Sequence, residues 1–165
     1  MSLATSAPSF RDAARTAPQP APHALRSDWN INVLLVEDDA ADTSLILDVL
    51  RHHPRVASAA ALAAPDIALL QLEVGHMTPD LVLLDIHMPR IDGFQFLTRL
   101  RLIKAMASVP VVFLTTSVHL ADVTDAKRSS ASSYVTKPDS FGELKERLDV
   151  VIRRVIADGS TQHDR

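Results

Sequence analysis

The chain has no cysteine, which excludes disulfide staples, thiolate metal sites and cysteine nucleophiles. A cytoplasmic location is compatible with that absence and is the expectation adopted here. No apolar run reaches the length needed to cross a bilayer, so no membrane association is expected. The N-terminus lacks the unbroken apolar stretch of a secretory signal, and Asp12 with several prolines argues against a transit peptide. There is no basic excess either. The formal net charge is -3 with seven histidines counted neutral, which argues against a nucleic-acid partner. No internal repeat is present. What remains is a chain of 165 residues, 47% of them hydrophobic, enough for one domain with a real core plus a tail.

Residues 1–28 differ from the rest. They carry Pro8, Pro18, Pro20 and Pro22, many alanines and little bulky apolar content. This reads as a disordered or loosely ordered arm, with room for a short helix through Phe10–Ala17. An inert tail is favoured over a docking arm. Residues 29–157 read as the folded domain and 158–165 as a short C-terminal tail.

Within the domain, strand and helix signals alternate. Ile31–Val36 is a short, β-branched-rich run that stops at acids, the pattern of a buried strand. Leu45, Ile46, Val49 and Leu50 give Ala41–Arg51 a helical face before Pro54 breaks the chain. Val56–Ala61 is a weaker strand signal because alanine is a poor strand former. Ile67, Leu69, Leu70 and Val74 suggest a helix, with Pro65 near its start and Gly75 after it. Leu81–Leu84 has strand length and ends at Asp85. Phe96, Leu97, Leu100 and Ile103 recur at helical spacing. Val109–Leu114 forms a strand ending at Thr115, Ala121–Arg128 a short helix, and Tyr134–Thr136 a strand ending at Lys137-Pro138. The last helix places Phe141, Leu144, Leu148, Val151, Ile152 and Val155 on one face, with Glu143/Arg147 and Asp149/Arg153 four apart on the other. His52-His53 reads as an exposed helix C-terminus, and Asp92-Gly93 as a turn into the third helix. Five strands alternating with five helices imply an α/β domain, a doubly wound parallel sheet with helices on both faces.

In such a fold the carboxyl ends of the strands form the ligand-binding edge. The polar residues fall there: Glu37-Asp38-Asp39 after the first strand, Asp85 after the third, Thr115 after the fourth, Lys137 after the fifth. Several carboxylates in one pocket repel one another, and a hard divalent cation relieves this; Mg²⁺ suits a few carboxylates with retained waters. With one ammonium and one hydroxyl the set is suited to phosphoryl chemistry.

Four motifs then carry a family resemblance. Val33–Asp39 resembles the acidic first-strand motif of response-regulator receiver domains. Leu83-Leu84-Asp85-Ile86-His87-Met88-Pro89-Arg90-Ile91-Asp92-Gly93 resembles their phosphoacceptor motif. Pro110–Ser117 and Ser133–Pro138 resemble the fourth- and fifth-strand motifs. The similarity spans about Ile31 to Ile156, with all four motifs in order at family spacing.

The resemblance implies a flavodoxin-like, CheY-like fold with strand order 2-1-3-4-5. It implies that Asp85 is the phosphoacceptor, served by a histidine kinase or a histidine phosphotransfer protein. Asp38 and Glu37, with Asp85 and the backbone carbonyl of His87, would hold Mg²⁺. Lys137 would pair with the phosphoryl group, Thr115 would move toward it, and Tyr134 would act as an aromatic switch. The His87 side chain is expected to be neither phosphoacceptor nor ligand. The surface of the fourth helix, fifth strand and fifth helix would carry the signal to an unidentified protein partner, and in the family it often serves as a homodimer face. The Leu114-Thr115-Thr116-Ser117 tract is similar to single-domain regulators paired with bacterial phytochrome-type kinases. Only Asp158–Arg165 follow the last helix, so a stand-alone regulator is expected.

Two departures stand out: Ser130 where a glycine is usual before the fifth strand, and Ala-Ala-Pro around Pro65 where a glycine is usual near the second helix. Two rival classes remain. A haloacid-dehalogenase-type phosphatase needs an aspartate two residues after its nucleophile, and His87 stands there, so no enzyme beyond slow self-dephosphorylation is expected. A phosphorylation-independent scaffold is the alternative.

Overall fold

The computed structural model describes residues 30–116, 131 and 133–161. The arm, the Ala121–Arg128 segment and Ser130 lie outside the described residues. Five strands, β1 (Ile31–Val36), β2 (Val56–Leu62), β3 (Leu81–Asp85), β4 (Val111–Thr115) and β5 (Ser133–Thr136), form one parallel sheet in the order β2-β1-β3-β4-β5. Between them run α1 (Ala40–Arg51), α2 (Pro65–Glu73) and α3 (Gly93–Leu100), and a C-terminal helix spans Phe141–Thr161. That helix continues past residue 157, where the sequence pattern suggests the domain boundary. The doubly wound order expected from the alternation is the one observed.

Strand alternation divides the core into two layers. Val33, Leu35, Leu81, Leu83, Val112, Leu114 and Val135 face α1 and the C-terminal helix, meeting Ile46, Leu50, Leu148 and Ile152. Leu34, Val36, Val82, Leu84, Val111 and Phe113 face α2 and α3, meeting Ala68, Leu72, Phe96 and Leu100. A sheet buried on both faces needs strands apolar throughout, and β3 and β4 are buried at every position.

The helix ends follow local chemistry. Asp39 caps α1 by accepting the Asp42 N–H at 2.8 Å, and Asp92 caps α3 by accepting the Gln95 N–H at 2.8 Å. Pro65 opens α2 and Gly75, at φ 74°, reverses the chain after it.

Four expectations are corrected. The helix α2 exists, but Ala68 and Leu72 form its buried face while Ile67, Leu70 and Val74 are exposed. The segment is apolar nearly all round, so spacing does not select a face. Phe141 is exposed rather than packed, because it starts the C-terminal helix one turn before the core begins at Leu144. Ile103 lies beyond α3 and leads into a short 3₁₀ turn, Lys104–Met106. His52 is exposed, but His53 is buried: its Nε2 lies 3.0 Å from Asp149 Oδ1, and its Nδ1 accepts the Arg55 N–H at 3.1 Å. A ring accepting at Nδ1 carries its hydrogen at Nε2, so His53 donates to Asp149 and ties the end of α1 to the C-terminal helix.

Candidate functional site

Register explains how residues a hundred positions apart meet. Val36 pairs with Leu84, so Glu37 and Asp85 emerge side by side from β1 and β3. Asp85 pairs with Leu114 and Thr115 with Thr136, which brings Thr115 and then Lys137 to the same edge. The Lys137 N–H donates to the Thr115 carbonyl at 2.7 Å and fixes the lysine backbone as β5 ends.

The Lys137 ammonium is the centre of the site. It lies 2.5 Å from Glu37 Oε2, 2.8 Å from Asp42 Oδ2 and 2.9 Å from Asp85 Oδ1. The other Asp85 oxygen, Oδ2, accepts the His87 N–H at 2.8 Å. The other Glu37 oxygen accepts the Asp39 N–H at 3.2 Å. Glu37, Asp38 and Asp85 each offer a carboxylate oxygen, and the three lie within 4.8 Å of one another. Asp38 is exposed, while Glu37, Asp85 and Thr115 are buried.

The pairing acts unequally on its partners. Burial alone would lower the Lys137 ammonium, but the hydrogen bonds it donates to Asp42, Glu37 and Asp85 outweigh that and hold the group well above its ordinary value. Glu37 is raised: burial disfavours its charge, Asp85 adds repulsion, and the Lys137 ammonium only partly offsets them.

The loop from β3 to α3 is held from below. Ile86, Met88 and Ile91 drop into the α2–α3 core layer. Between them the Ile91 N–H donates to the Pro89 carbonyl at 2.8 Å across Arg90, whose φ of 69° is strained for a side-chain-bearing residue. Gly93 follows, and a Cβ there would lie 2.6 Å from the Asp85 carbonyl oxygen. Glycine is therefore required for α3 to start against the end of β3.

Among the residues singled out from sequence, the structure gathers Glu37, Asp38, Asp85 and Lys137 into one cluster and places Thr115 at the adjoining strand end. The His87 backbone joins them through Asp85, and its side chain is exposed. Tyr134 is half-buried on β5 against the α2–α3 layer. Asp42 is the member that sequence reasoning missed. Its signal was its place in the first turn of a helix that starts directly after an acidic strand end.

Four carboxylates against one ammonium leave a formal charge of -3. The donors are hard oxygens, and among the described residues Lys137 offsets only part of their charge. Glu37, Asp38 and Asp85 therefore fit Mg²⁺ or a similar hard divalent cation.

Comparison with known proteins places this geometry. The model of the response regulator receiver domain matches residues 33–149. The chain belongs to the response-regulator receiver family. The receiver is 35% identical over 122 residues to the transcriptional regulatory protein AfsQ1 of Streptomyces coelicolor, covering 74% of this chain and 51% of AfsQ1. It thus spans about half the length of several curated relatives it matches. Its fold matches the Mn²⁺-bound response regulator Rcp1 at a TM-score of 0.65 and 28% identity, covering 73% of this chain and 91% of Rcp1. The phosphorylated cyanobacterial phytochrome response regulator RcpA shares the fold at a TM-score of 0.65 and 23% identity, covering 74% of this chain and 91% of RcpA. Among the described residues no helix is long and apolar enough to cross a membrane.

Proposed function

We propose that this receiver is a response regulator whose Asp85 accepts a phosphoryl group from a phosphohistidine on a histidine kinase or a histidine phosphotransfer protein. One observation carries the reading. The Asp85 carboxylate stands at a strand end with one oxygen on the Lys137 ammonium and the other on the His87 N–H, inside an acid trio.

In the transfer, an Asp85 oxygen attacks phosphorus and forms an acyl phosphate. The phosphorus–nitrogen bond breaks, and the donor imidazole keeps the electron pair and takes up a proton. Lys137 exchanges its contact with the Asp85 carboxylate for a phosphoryl oxygen and offsets the new negative charge. Glu37, Asp38, Asp85 and the His87 carbonyl would hold Mg²⁺, which would neutralise charge on the phosphoryl oxygens. Thr115 donates its hydroxyl to the same group.

That movement shifts Tyr134 on β5 and reshapes the surface it shares with the C-terminal helix, a population shift between two packings. The output passes to a protein partner or onward through a relay, in the cytoplasm. The acyl phosphate hydrolyses slowly on its own. The Mn²⁺-bound form of Rcp1 supports a divalent cation at this edge.

Incubation with phosphoramidate and Mg²⁺ tests the reading. The expected result is a mass gain of one phosphoryl group, absent in Asp85→Asn and absent in EDTA. No gain, together with a silent beryllofluoride titration, would overturn it in favour of a phosphorylation-independent scaffold.

A further inference from the structure

Lys137 has three ammonium hydrogens, and three carboxylate oxygens receive them: Glu37 Oε2 at 2.5 Å, Asp42 Oδ2 at 2.8 Å and Asp85 Oδ1 at 2.9 Å. Two of these acids, Glu37 and Asp85, also belong to the trio that fits a divalent cation. A divalent cation and an ammonium compete for shared carboxylates and repel each other at short range. Asp42 stands outside the trio, so it is the acid of the three that Lys137 does not share. It is also well anchored. Its backbone N–H is held by Asp39 Oδ1 at 2.8 Å, and it lies in the first turn of α1, where the helix dipole favours a carboxylate.

From this we infer that Asp42 is a positioning residue: it tethers the Lys137 ammonium beside Asp85 when a divalent cation draws on Glu37 and Asp85, so that both cations occupy the pocket together. Without the tether, the lysine has no acceptor of its own in the cation-bound site and swings outward. The inference rests on the proposed role of Asp85 but is separable from it by experiment.

The first arm reads Lys137 itself. Its side chain is 10% exposed. Amine labelling followed by peptide mass spectrometry, in EDTA and in Mg²⁺, compares the wild type with Asp42→Asn. In the wild type, Lys137 is expected to stay protected in both conditions. In Asp42→Asn it is expected to stay protected in EDTA, held by Glu37 and Asp85, and to label about tenfold faster in Mg²⁺, as loss of a charge-assisted hydrogen bond would allow. Labelling equal to wild type in Mg²⁺, or raised alike in both conditions as general loosening would produce, overturns the inference.

The second arm reads the phosphoryl transfer. At saturating Mg²⁺ and phosphoramidate, Asp42→Asn is expected to react about tenfold more slowly, and Asp42→Glu to recover most of the rate. In a Lys137→Met background, Asp42→Asn is expected to cause no further loss. An equal loss in that background shows that Asp42 does not act through Lys137 and overturns the inference. If the wild type gains no phosphoryl group, the role of Asp85 fails, and the labelling arm alone still decides the role of Asp42.

Discussion

The bodies of the central strands and the residues that close them are alike buried and chemically opposite. Val36 and Leu84 are fully buried, and one position later so are Glu37 at 1% and Asp85 at 6% exposure. Along the strand bodies, burial removes apolar surface from water and stabilises the fold. At the strand ends the same burial strips water from charge, and among the described residues Lys137 is the cation that answers it. The sheet thus holds together an edge that is unfavourable by itself. Burial there raises the Glu37 carboxyl above its ordinary value. A site left short of positive charge is one that can gain from a cation and from a change at Asp85.

The contrast can be broken first in the strand body. Phe113, fully buried and 4.8 Å centre to centre from the Phe94 ring, should cost about 4 kcal/mol when cut to alanine, read by urea denaturation. At the strand ends, Lys137→Met should cost the metal-free protein about 3 kcal/mol by leaving buried acids unanswered, and Mg²⁺ should restore much of it. Across the pH range the native lysine supplies its stabilisation in full below its ordinary 10.5, since its value is raised on folding.

Glu37→Gln should act the other way and raise the melting temperature of the metal-free protein at pH 7. A raised carboxyl contributes its stability below the ordinary 4.5 and loses it as pH climbs through the folded value. The advantage of the glutamine should therefore vanish in acid, grow toward neutrality, and turn into a deficit once Mg²⁺ is added. A gap independent of pH would show that the Glu37 charge is not what the edge bears. The smallest effect belongs to the surface: Glu143→Gln breaks an exposed pair with Arg147 and should change stability by at most about 0.5 kcal/mol.

The strand bodies and their terminal acids were legible because the central strands are short, apolar runs that stop at polar residues. That pattern placed β1, β3 and β4, and parallel pairing then implied the converging edge. Where apolar residues surround a helix, as in α2, spacing lost its power and the buried face was read wrongly. His53 was hidden for a related reason: its partner Asp149 lies 96 residues away, beyond any local signal. Asp42 was hidden by its company, since an acid in a first helical turn is ordinary until the lysine it meets is known.

The central claim is that the acid at the end of β3 is the one that becomes phosphorylated when this edge holds a cation. Borohydride reduction of the phosphoramidate-treated, Mg²⁺-containing protein converts an aspartyl phosphate to homoserine, and tandem mass spectrometry locates it. The account predicts homoserine at Asp85 and at no other acid, dependent on Mg²⁺. Homoserine at Asp38 or Asp42, or none at Asp85 in protein that has gained a phosphoryl group, would contradict it.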